Sequence, residues 1–341
     1  MMLVIAANGS GDCLTLGEAL ARLDPADPTP AVLLLREGEY RESVCLSADH
    51  LRLVGESQDR TILSGLTVTG KQVELEHLTL RGTSQPVCRE DTRFTDCLLV
   101  ADETRQPLDN SAAVPGDPLP TWWVCGDSTS AICTPEWAPQ TNWTQIVPEA
   151  LRDIAHLQSY AKSGCSSKSF VQEGRLGAIE LCLRPGDKLF VQFSHNDEKA
   201  APELTTDARL TFPLWLDLYI DAALSHHAEP VLMTPFERRL VDEQGNLMVS
   251  HRDYPAAIRA KALERHLRLL DMEAASRALY LSTGLEESKR YFMWLPAGQY
   301  PNYPNGSQDN THFSLEGAKA LAELFMQALA AADGQCLEKS R

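Results

Sequence analysis

The sequence has few positive charges for its length, and no apolar run in it is long enough to span a bilayer. Its 341 residues include 31 Lys and Arg against 47 Asp and Glu, which gives a formal net charge of −16 at pH 7. Nucleic acids and anionic membrane surfaces attract proteins that carry basic patches. We therefore expect neither a nucleic acid nor a membrane as partner, although a local basic groove remains compatible with this charge.

Paired cysteines and a secretion signal are also missing. The nine cysteines are an odd number, and no two of them form a CxxC pair. This pattern fits reduced thiols better than a disulfide framework. Residues 1–8 contain no basic segment and only a short apolar run. Together these absences predict a cytoplasmic protein, and the sequence gives no indication of its oligomeric state.

The pattern of the chain changes twice, which predicts two domains and a linker. Residues 1–105 contain short strands of period-two character, interrupted by one helix at 14–23. Because no hairpin dipeptides join these strands, we expect them to stack in parallel as a small β-helix-like domain. Residues 106–120 hold prolines among Asp, Asn and Gly and predict the linker. Residues 121–341 alternate strands with helices, which predicts an α/β domain.

The α/β domain is expected to contain a parallel sheet with helices on both faces. The expected strands are 122–125, 159–162, 188–193, 230–233 and 267–271, and the expected helices are 143–155, 214–226, 254–269, 273–284 and 315–332. Ser314 is a predicted N-cap of the last helix, and Gly334 is its predicted stop.

The first candidate for chemistry is Ser128, which follows an apolar strand in the step Gly126-Asp127-Ser128. Sites in parallel α/β sheets form outside the carboxyl ends of the strands, so Ser128 is expected at such an edge. A serine hydroxyl is a weak nucleophile until a neighbouring base accepts its proton. A serine that only shapes a strand-to-helix turn is the alternative.

A base and its partner occur together near the C-terminus, where Asp309 and His312 lie in a turn-rich segment that we expect to be a loop. Histidine can accept a serine proton near neutral pH, and a carboxylate can fix its tautomer and stabilise the imidazolium. Taken alone, the two residues are equally compatible with a metal pair or a helix-capping cluster.

Gly164 and Asn196 are candidates for an oxyanion hole. A glycine can point its backbone N–H into a cleft, and Asn196 follows the expected strand 188–193, where its amide can donate. With the N–H of Ser128 they make the three donors that a tetrahedral intermediate of acyl transfer requires. The alternative for Asn196 is an ordinary turn residue.

The order of these motifs resembles that of the SGNH (GDSL-type) hydrolases, and several stretches resemble the rhamnogalacturonan acetylesterases among them. The stretches are 126–129, 139–143, 192–197, 234–239, 301–306 and 309–314. The resemblance covers residues 121–333. It implies a three-layer, flavodoxin-like α/β hydrolase that removes acetyl groups from pectic rhamnogalacturonan oligosaccharides, with no metal and no cofactor.

Carried over by position, the resemblance makes Ser128 the nucleophile, His312 the base and Asp309 the residue that orients it. It makes Ser128, Gly164 and Asn196 the oxyanion hole. Two positions depart from the pattern of the family, which usually has Arg where this chain has Cys165 and Gly where it has Ser194. The lost arginine puts the substrate preference in doubt.

Four neighbours of these motifs are candidates for substrate contacts. They are Thr129, His195, Arg238 and Arg239. A guanidinium suits a carboxylate such as that of galacturonate, but a structural salt bridge is an equally good interpretation of either arginine. We expect His195 to support Asn196 by a hydrogen bond rather than to act as a second base.

The N-terminal domain carries a second resemblance. Residues 8–12, 16–20, 36–44 and 53–56 resemble the start of the pectin methylesterases. The catalytic aspartates and arginine of that family lie on later rungs, which this chain does not reach. The resemblance implies a truncated, non-catalytic β-helix segment, which is either a scaffold without a ligand or a pectin-binding accessory module.

The sequence therefore predicts a carbohydrate O-acetylesterase that works through an acyl-serine intermediate on acetylated pectic oligosaccharides. One alternative keeps the fold and changes the substrate to xylan-type or other acetylated oligosaccharides. Another is a pectin-binding protein in which the β-helix segment is the binding element.

Overall fold

A computed structural model describes residues 1–24, 30–82, 88–89, 91–95, 97–101, 104–108 and 119–339. The chain divides into two compact units, Met1–Leu119 and Pro120–Arg341. None of the described helices is both long and apolar enough to cross a membrane.

The described part of the N-terminal unit consists of short strands and a single short helix, α1 (Leu16–Leu20). The strands are β1 (Met2–Ile5), β2 (Ala31–Leu35), β3 (Gly38–Tyr40), β4 (Val44–Leu46), β5 (Leu51–Gly55), β6 (Thr61–Ser64), β7 (Leu66–Val68), β8 (Glu74–Glu76), β9 (Thr79–Arg81), β10 (Arg93–Thr95), β11 (Cys97–Ala101) and β12 (Thr104–Leu108).

These strands stack on one another in three sheets. Their orders are β1-β2-β5-β8-β10, β12-β11-β9-β6-β3 and β4-β7, and every pair is parallel except β11 with β12. In the first sheet Leu33 pairs with Leu53, which pairs with Leu75. All three leucines belong to one buried cluster. Successive layers thus place an apolar residue at the same inward position, and this ladder forms the core of the unit.

The boundary between the units differs from the expected one. Strand β12 pairs antiparallel with β11, so residues 106–108 belong to a sheet rather than to the linker. The backbone pairing of β12 takes up the exposed edge of β11, which an all-parallel stack would leave open. The rest of the expected linker, residues 109–118, lies outside the described residues.

The C-terminal unit alternates strands and helices. The strands are β13 (Thr121–Gly126), β14 (His156–Ser159), β15 (Lys188–Gln192), β16 (Glu229–Met233), β17 (Arg268–Leu270), β18 (Phe292–Leu295) and β19 (Ser307–Phe313). The helices are α2 (Val147–Ala150), α3 (Ser167–Gln172), α4 (Arg175–Glu180), α5 (Phe212–Ser225), α6 (Tyr254–Glu264), α7 (Met272–Thr283) and α8 (Leu315–Lys339).

Five of these strands form a parallel sheet in the order β14-β13-β15-β16-β17, and β18 and β19 form a separate antiparallel hairpin. The order reverses at β13, so the cleft outside its carboxyl end is the place where such sheets bind ligands. The residues that follow β13, β14 and β15 are therefore brought to one edge. This arrangement confirms the expected α/β domain.

Helices cover both faces of this sheet. Trp122 and Val124 on β13 pack into a cluster with Phe325 of α8. Because side chains alternate along a strand, Trp123 and Cys125 point the other way, and both are fully buried. On that other side Phe170 of α3 and Tyr219 of α5 pack against Phe193 just after β15. The C-terminal unit is therefore a three-layer sandwich of helices, sheet and helices.

Several expected elements have different bounds. The helix expected at 143–155 is a 3₁₀ turn (Trp143–Gln145) followed by the short α2, because Pro148 lacks the N–H that would continue one helix through it. The helix expected at 254–269 ends at Glu264, and His266 then has φ +55°, outside the helical region. The strand expected at 159–162 lies earlier, at His156–Ser159. The helices α3 and α4 were not expected.

The last helix begins where it was expected and ends later. The hydroxyl of Ser314 accepts the N–H of Gly317 at 3.1 Å, which confirms the predicted N-cap. Helix α8 continues through Gly334 to Lys339, so the predicted stop is wrong. An isolated glycine weakens a helix but does not end it.

Replacing Gly317 by alanine should destabilise the C-terminal unit by about 2 kcal/mol, the typical cost of overpacking a tight contact. A Cβ at this position would lie 1.9 Å from the carbonyl oxygen of Tyr291, which is a backbone atom and has no rotamer with which to move aside. The free energy of unfolding in urea measures the effect.

Gly177→Ala is the matched control. This glycine also lies in a helix, but a Cβ there meets nothing nearer than Glu180 Oε2 at 4.0 Å. Alanine is the better helix former, so this variant should be neutral or more stable. An equal loss of stability in both variants would show that the overlap with Tyr291 is not the cause.

Candidate active site

The turn that presents Ser128 is fixed by close packing. A Cβ on Gly126 would lie 3.0 Å from Ser130 Cβ and 3.1 Å from the carbonyl oxygen of Gln192, so any larger residue would press on the turn and on β15. Asp127 is fully buried, and its Oδ1 accepts hydrogen bonds from the backbone N–H and the hydroxyl of Thr129, both at 2.9 Å. These two hydrogen bonds join Asp127 to Thr129 and so fix the backbone on either side of Ser128.

Asn142 holds the same turn from the next segment of chain. It is fully buried, and its Nδ2 donates to the carbonyl oxygens of Ser128 at 2.8 Å and Ala131 at 2.6 Å. Asn142 lies in one of the stretches that carry the family resemblance, and no role was predicted for it. The only signal in the sequence was its place in the stretch 139–143.

His312 joins Ser128 to a carboxylate. Its Nε2 lies 2.9 Å from Ser128 Oγ, and its Nδ1 lies 2.7 Å from Asp309 Oδ2. The side chains of His312 and Asp309 are 29% and 32% exposed, so a substrate can reach them. The structure thus brings the three residues of the expected triad into one chain of hydrogen bonds, open to solvent on the side of the serine.

Asp309 is held as a carboxylate. Its Oδ1 accepts the backbone N–H groups of Thr311 at 2.6 Å and His312 at 3.0 Å, while Oδ2 faces the imidazole. Burial raises the pKa of Asp309, but the hydrogen bond and charge of His312 outweigh it, so the net pKa lies below the usual value. A negative carboxylate fixes the proton of the imidazole on Nδ1 and leaves Nε2 free to accept.

The segment that carries Asp309 and His312 is a strand and not the expected loop. It is β19, which pairs with β18. Between the two residues, Asn310 points to the other side of the strand, where its Oδ1 accepts Trp294 Nε1 at 2.8 Å and Arg239 Nη1 at 3.1 Å. In β19 only Ser307, Gln308 and Phe313 pair with β18, and the register shifts between Gln308 and Phe313. Asp309 and His312 therefore lie in an irregular stretch that the hairpin holds at both ends.

The expected oxyanion donors follow three adjacent strands. Ser128 follows β13, Gly164 follows β14 and Asn196 follows β15. Gly164 has φ +84°, a conformation that favours glycine. Within the described residues, neither its N–H nor that of Ser128 donates a hydrogen bond.

Asn196 is oriented by the residue after Gly164. It is buried, and its Nδ2 donates to the carbonyl oxygen of Cys165 at 2.7 Å. An amide nitrogen carries two hydrogens, so one remains to donate elsewhere. The bond fixes the side chain amide beside Gly164, at the edge where Ser128 lies.

Two of the four candidate substrate contacts are turned into the protein. Thr129 is fully buried and donates its hydroxyl to Asp127. Arg239 is 4% exposed, and its guanidinium donates to the carbonyl oxygen of Leu285 at 2.7 Å and to Asn310 at 3.1 Å. Both expectations are corrected, because a substrate cannot reach either side chain. Thr129 instead supports the turn that carries Ser128, and Arg239 supports the strand that carries His312.

Arg238 forms a structural salt bridge, which was one of its two predicted roles. Its Nη1 donates to Glu198 Oε1 at 2.7 Å and its Nη2 to the carbonyl oxygen of His195 at 3.1 Å. The guanidinium thereby holds the segment that carries Asn196, and its charge is already paired.

His195 packs against another histidine. Its ring is 3% exposed and lies edge-on to His251, with 4.4 Å between the ring centroids. Neither ring nitrogen has a hydrogen-bond partner among the described residues, so the expected hydrogen bond to Asn196 is absent there. His251 Nε2 lies 3.1 Å from the carbonyl oxygen of Phe236. Burial lowers the pKa of His195 well below its usual value and that of His251 to about 2, so both rings are neutral.

The two departures from the family pattern occupy buried positions. Cys165 is 2% exposed, and burial raises the pKa of its thiol to about 11, so the thiol is uncharged. Ser194 has φ +151°, which explains why a glycine suits this position. Among the described residues, no group of three His, Cys, Asp or Glu side chains is placed to hold a metal ion.

Acid should destabilise the folded protein through His251. Its folded-state pKa is about 2 and the ordinary value is 6.5, so below pH 6.5 only the unfolded chain takes up the proton. The stability present above pH 6.5 is therefore lost as the pH falls, by about 2 kcal/mol between pH 7.5 and pH 5. Urea unfolding at both pH values should show a smaller difference for His251→Gln than for the wild type.

The control is His227→Asn, which replaces an exposed histidine in a left-handed backbone conformation that asparagine tolerates. It should keep the pH dependence of the wild type. A His251→Gln variant with an unchanged difference between the two pH values would contradict the assignment of a neutral buried ring.

No protein-family model matches the chain. Over 207 residues it is 39% identical to the rhamnogalacturonan acetylesterase RhgT of Bacillus subtilis, a match that covers 61% of this chain and 88% of that protein. The crystal structure of YxiM from Bacillus subtilis is similar in fold, with a TM-score of 0.55 and 26% identity, over 67% of this chain and 59% of that one.

A shorter match concerns a different family. Over 65 residues, 18% of this chain and 23% of the other protein, the sequence is 37% identical to the probable pectinesterase 56 of Arabidopsis thaliana. This agrees with the resemblance of the N-terminal segment. The match to RhgT is longer and covers most of that protein, and on this ground the chain belongs to the rhamnogalacturonan acetylesterase family.

Proposed function

We propose that this protein is a carbohydrate O-acetylesterase that releases acetate from acetylated rhamnogalacturonan oligosaccharides through an acetyl ester on Ser128. The observation that carries the proposal is the hydrogen-bonded chain from Ser128 through His312 to Asp309, at 2.9 Å and 2.7 Å. Family membership supports the choice of a pectic substrate, since RhgT is named for that activity.

In the first half of the reaction, Ser128 Oγ attacks the acetyl carbonyl carbon while His312 Nε2 accepts the hydroxyl proton. The carboxylate of Asp309 stabilises the imidazolium that forms. The tetrahedral intermediate then collapses, and the imidazolium gives its proton to the departing sugar oxygen. The bond between the acetyl carbon and the sugar oxygen breaks, which leaves acetyl-Ser128 and a free sugar hydroxyl.

The negative charge on the former carbonyl oxygen needs donors. The backbone N–H groups of Ser128 and Gly164 and the remaining amide hydrogen of Asn196 are suited to this role. The first two donate to no described residue, and the third is oriented by Cys165. Donors held in place before the reaction cost no reorganisation when the charge appears, and each contributes about 3 kcal/mol.

In the second half, a water molecule attacks the acetyl-serine, and His312 accepts its proton. The same donors stabilise the second tetrahedral intermediate. Its collapse returns the proton to Ser128 Oγ and releases acetate. The same nucleophile, base and oxyanion donors therefore serve both halves of the reaction.

The N-terminal unit is proposed to be a truncated, non-catalytic β-helix. Its ladder of parallel strands and its partial likeness to a pectinesterase support the proposal. We further propose that the domain boundary lies near residue 120, as the division into two compact units supports. A reducing compartment such as the cytoplasm suits the eight described cysteines, which form no disulfide with one another.

Ser128→Ala should reduce acetate release by at least about a thousandfold, the scale of losing a catalytic nucleophile. The variant should fold, because among the described residues the Ser128 hydroxyl makes no hydrogen bond other than that with His312. Acetate release from acetylated rhamnogalacturonan oligosaccharides, with circular dichroism as the folding check, tests the proposal. Turnover at the wild-type rate would overturn it.

The same assay distinguishes the substrate classes. Wild-type protein is given acetylated rhamnogalacturonan and acetylated xylan oligosaccharides of equal length, and kcat/KM is compared. A higher value for the xylan series would move the function to the alternative substrate while leaving the acyl-serine mechanism in place.

The fragment 120–341 should release acetate with the kcat/KM of the full chain, because every residue of the proposed mechanism lies in the C-terminal unit. Its affinity for deacetylated pectic oligosaccharide, measured by calorimetry beside the full chain, tests the remaining alternative. Loss of oligosaccharide binding with the N-terminal unit would favour a pectin-binding role for that unit.

A further inference from the structure

One large aromatic side chain of the C-terminal unit is conspicuously open to solvent. Trp137 is 54% exposed, whereas Trp122, Trp123 and Trp143 are buried. It ends a short 3₁₀ turn, Pro135–Trp137, which lies between the Ser128 turn and Asn142. A single exposed apolar side chain is common on protein surfaces, so the meaning of Trp137 depends on where it lies relative to the site.

The backbone that carries Trp137 is held rigidly. Its N–H donates to Thr134 at 2.9 Å, and its carbonyl oxygen accepts the N–H of Gln140 at 2.8 Å. Across from it, Asn302 Nδ2 donates to the carbonyl oxygens of Pro135 at 2.9 Å and Ala138 at 3.0 Å. An exposed ring on a fixed backbone loses little conformational entropy when a ligand packs on it.

The same segment is tied to both halves of the site. At its end, Asn142 donates to the carbonyl oxygen of Ser128 at 2.8 Å. One residue earlier, the N–H of Thr141 donates to the carbonyl oxygen of Phe313 at 3.1 Å, directly after His312. Asn302, which clamps the Trp137 turn, belongs to the loop between β18 and β19. The turn that bears Trp137 therefore stands on the His312 side of Ser128.

That side is where the sugar must leave. His312 Nε2 delivers a proton to the departing sugar oxygen, so this oxygen lies next to the imidazole. The oxyanion donors at Gly164 and Asn196 follow β14 and β15. They face the acetyl oxygen instead. The sugar chain thus extends away from Ser128 past His312 and the segment tied to it.

We propose that Trp137 is the platform on which the oligosaccharide stacks while its acetyl group is at Ser128. The inference rests on the proposed function and adds the group that binds the sugar chain. A pyranose ring presents an apolar face of C–H groups, which an indole covers while the hydroxyls remain in water. Such a contact also carries no charge, which matters for a uronate-containing ligand of a protein with a net charge of −16.

Trp137→Ala is the test. With acetylated rhamnogalacturonan oligosaccharides, kcat/KM should fall about tenfold, the scale of one lost aromatic contact, and chiefly through a higher KM. With p-nitrophenyl acetate, whose leaving group has no sugar chain, kcat/KM should stay at the wild-type value. Trp137→Phe keeps an aromatic face and should recover most of the loss.

Leu263→Ala is the matched control, since it removes another exposed apolar side chain, 77% exposed, at the end of α6 that leads into β17 and away from the carboxyl edge. It should leave both substrates unaffected. Equal loss on both substrates in Trp137→Ala would assign the residue to folding or chemistry and overturn the proposal, as would no loss on either. If the wild type itself releases acetate from p-nitrophenyl acetate and not from the oligosaccharide, the proposed substrate fails, which is a different outcome.

Discussion

The site depends on one hydrogen bond, 2.9 Å long, between His312 Nε2 and Ser128 Oγ. It joins two residues from opposite ends of the C-terminal unit, so its length is set by everything that fixes the two backbones. On the serine side, Gly126 allows β13 and β15 to close together, and Asn142 clamps the turn. On the histidine side, the Asn310 side chain holds β19 by accepting hydrogen bonds from Trp294 and Arg239. A shift of a few tenths of an ångström in either backbone would lengthen this hydrogen bond beyond its normal range.

Two arginines close to the site are already bonded within the protein. Arg239 is buried behind β19, and Arg238 is bonded to Glu198 and to the segment that carries Asn196. The two arginines hold the segments that carry Asn196 and Asp309. In the proposed mechanism, neutral backbone and amide donors stabilise the oxyanion, and an exposed indole binds the sugar chain. In a strongly acidic protein this division lets an anionic oligosaccharide bind without ionic attraction over the whole surface.

The sheet of the C-terminal unit and most residues of the candidate site were predictable from the sequence. The apolar runs before Ser128 and Asn196 mark buried strands, and polar residues that follow such strands collect at one sheet edge. The polar strand β19 was not predictable, because Ser307–Phe313 has neither apolar alternation nor an apolar run. Exposure also cannot be read from a residue type: Thr129 and Arg239 are buried where contacts to substrate were expected, and Trp137 is exposed where none was considered.

The proposed mechanism requires that Ser128 becomes acetylated during turnover. Rapid acid quenching of the enzyme mixed with acetylated oligosaccharide, followed by peptide mass spectrometry, measures this directly. The acyl-serine mechanism predicts one added acetyl group on the peptide that contains Ser128, with none on the same peptide of Ser128→Ala. Undiminished turnover in which that serine is never acetylated, or an acetyl group on a different residue, would contradict it.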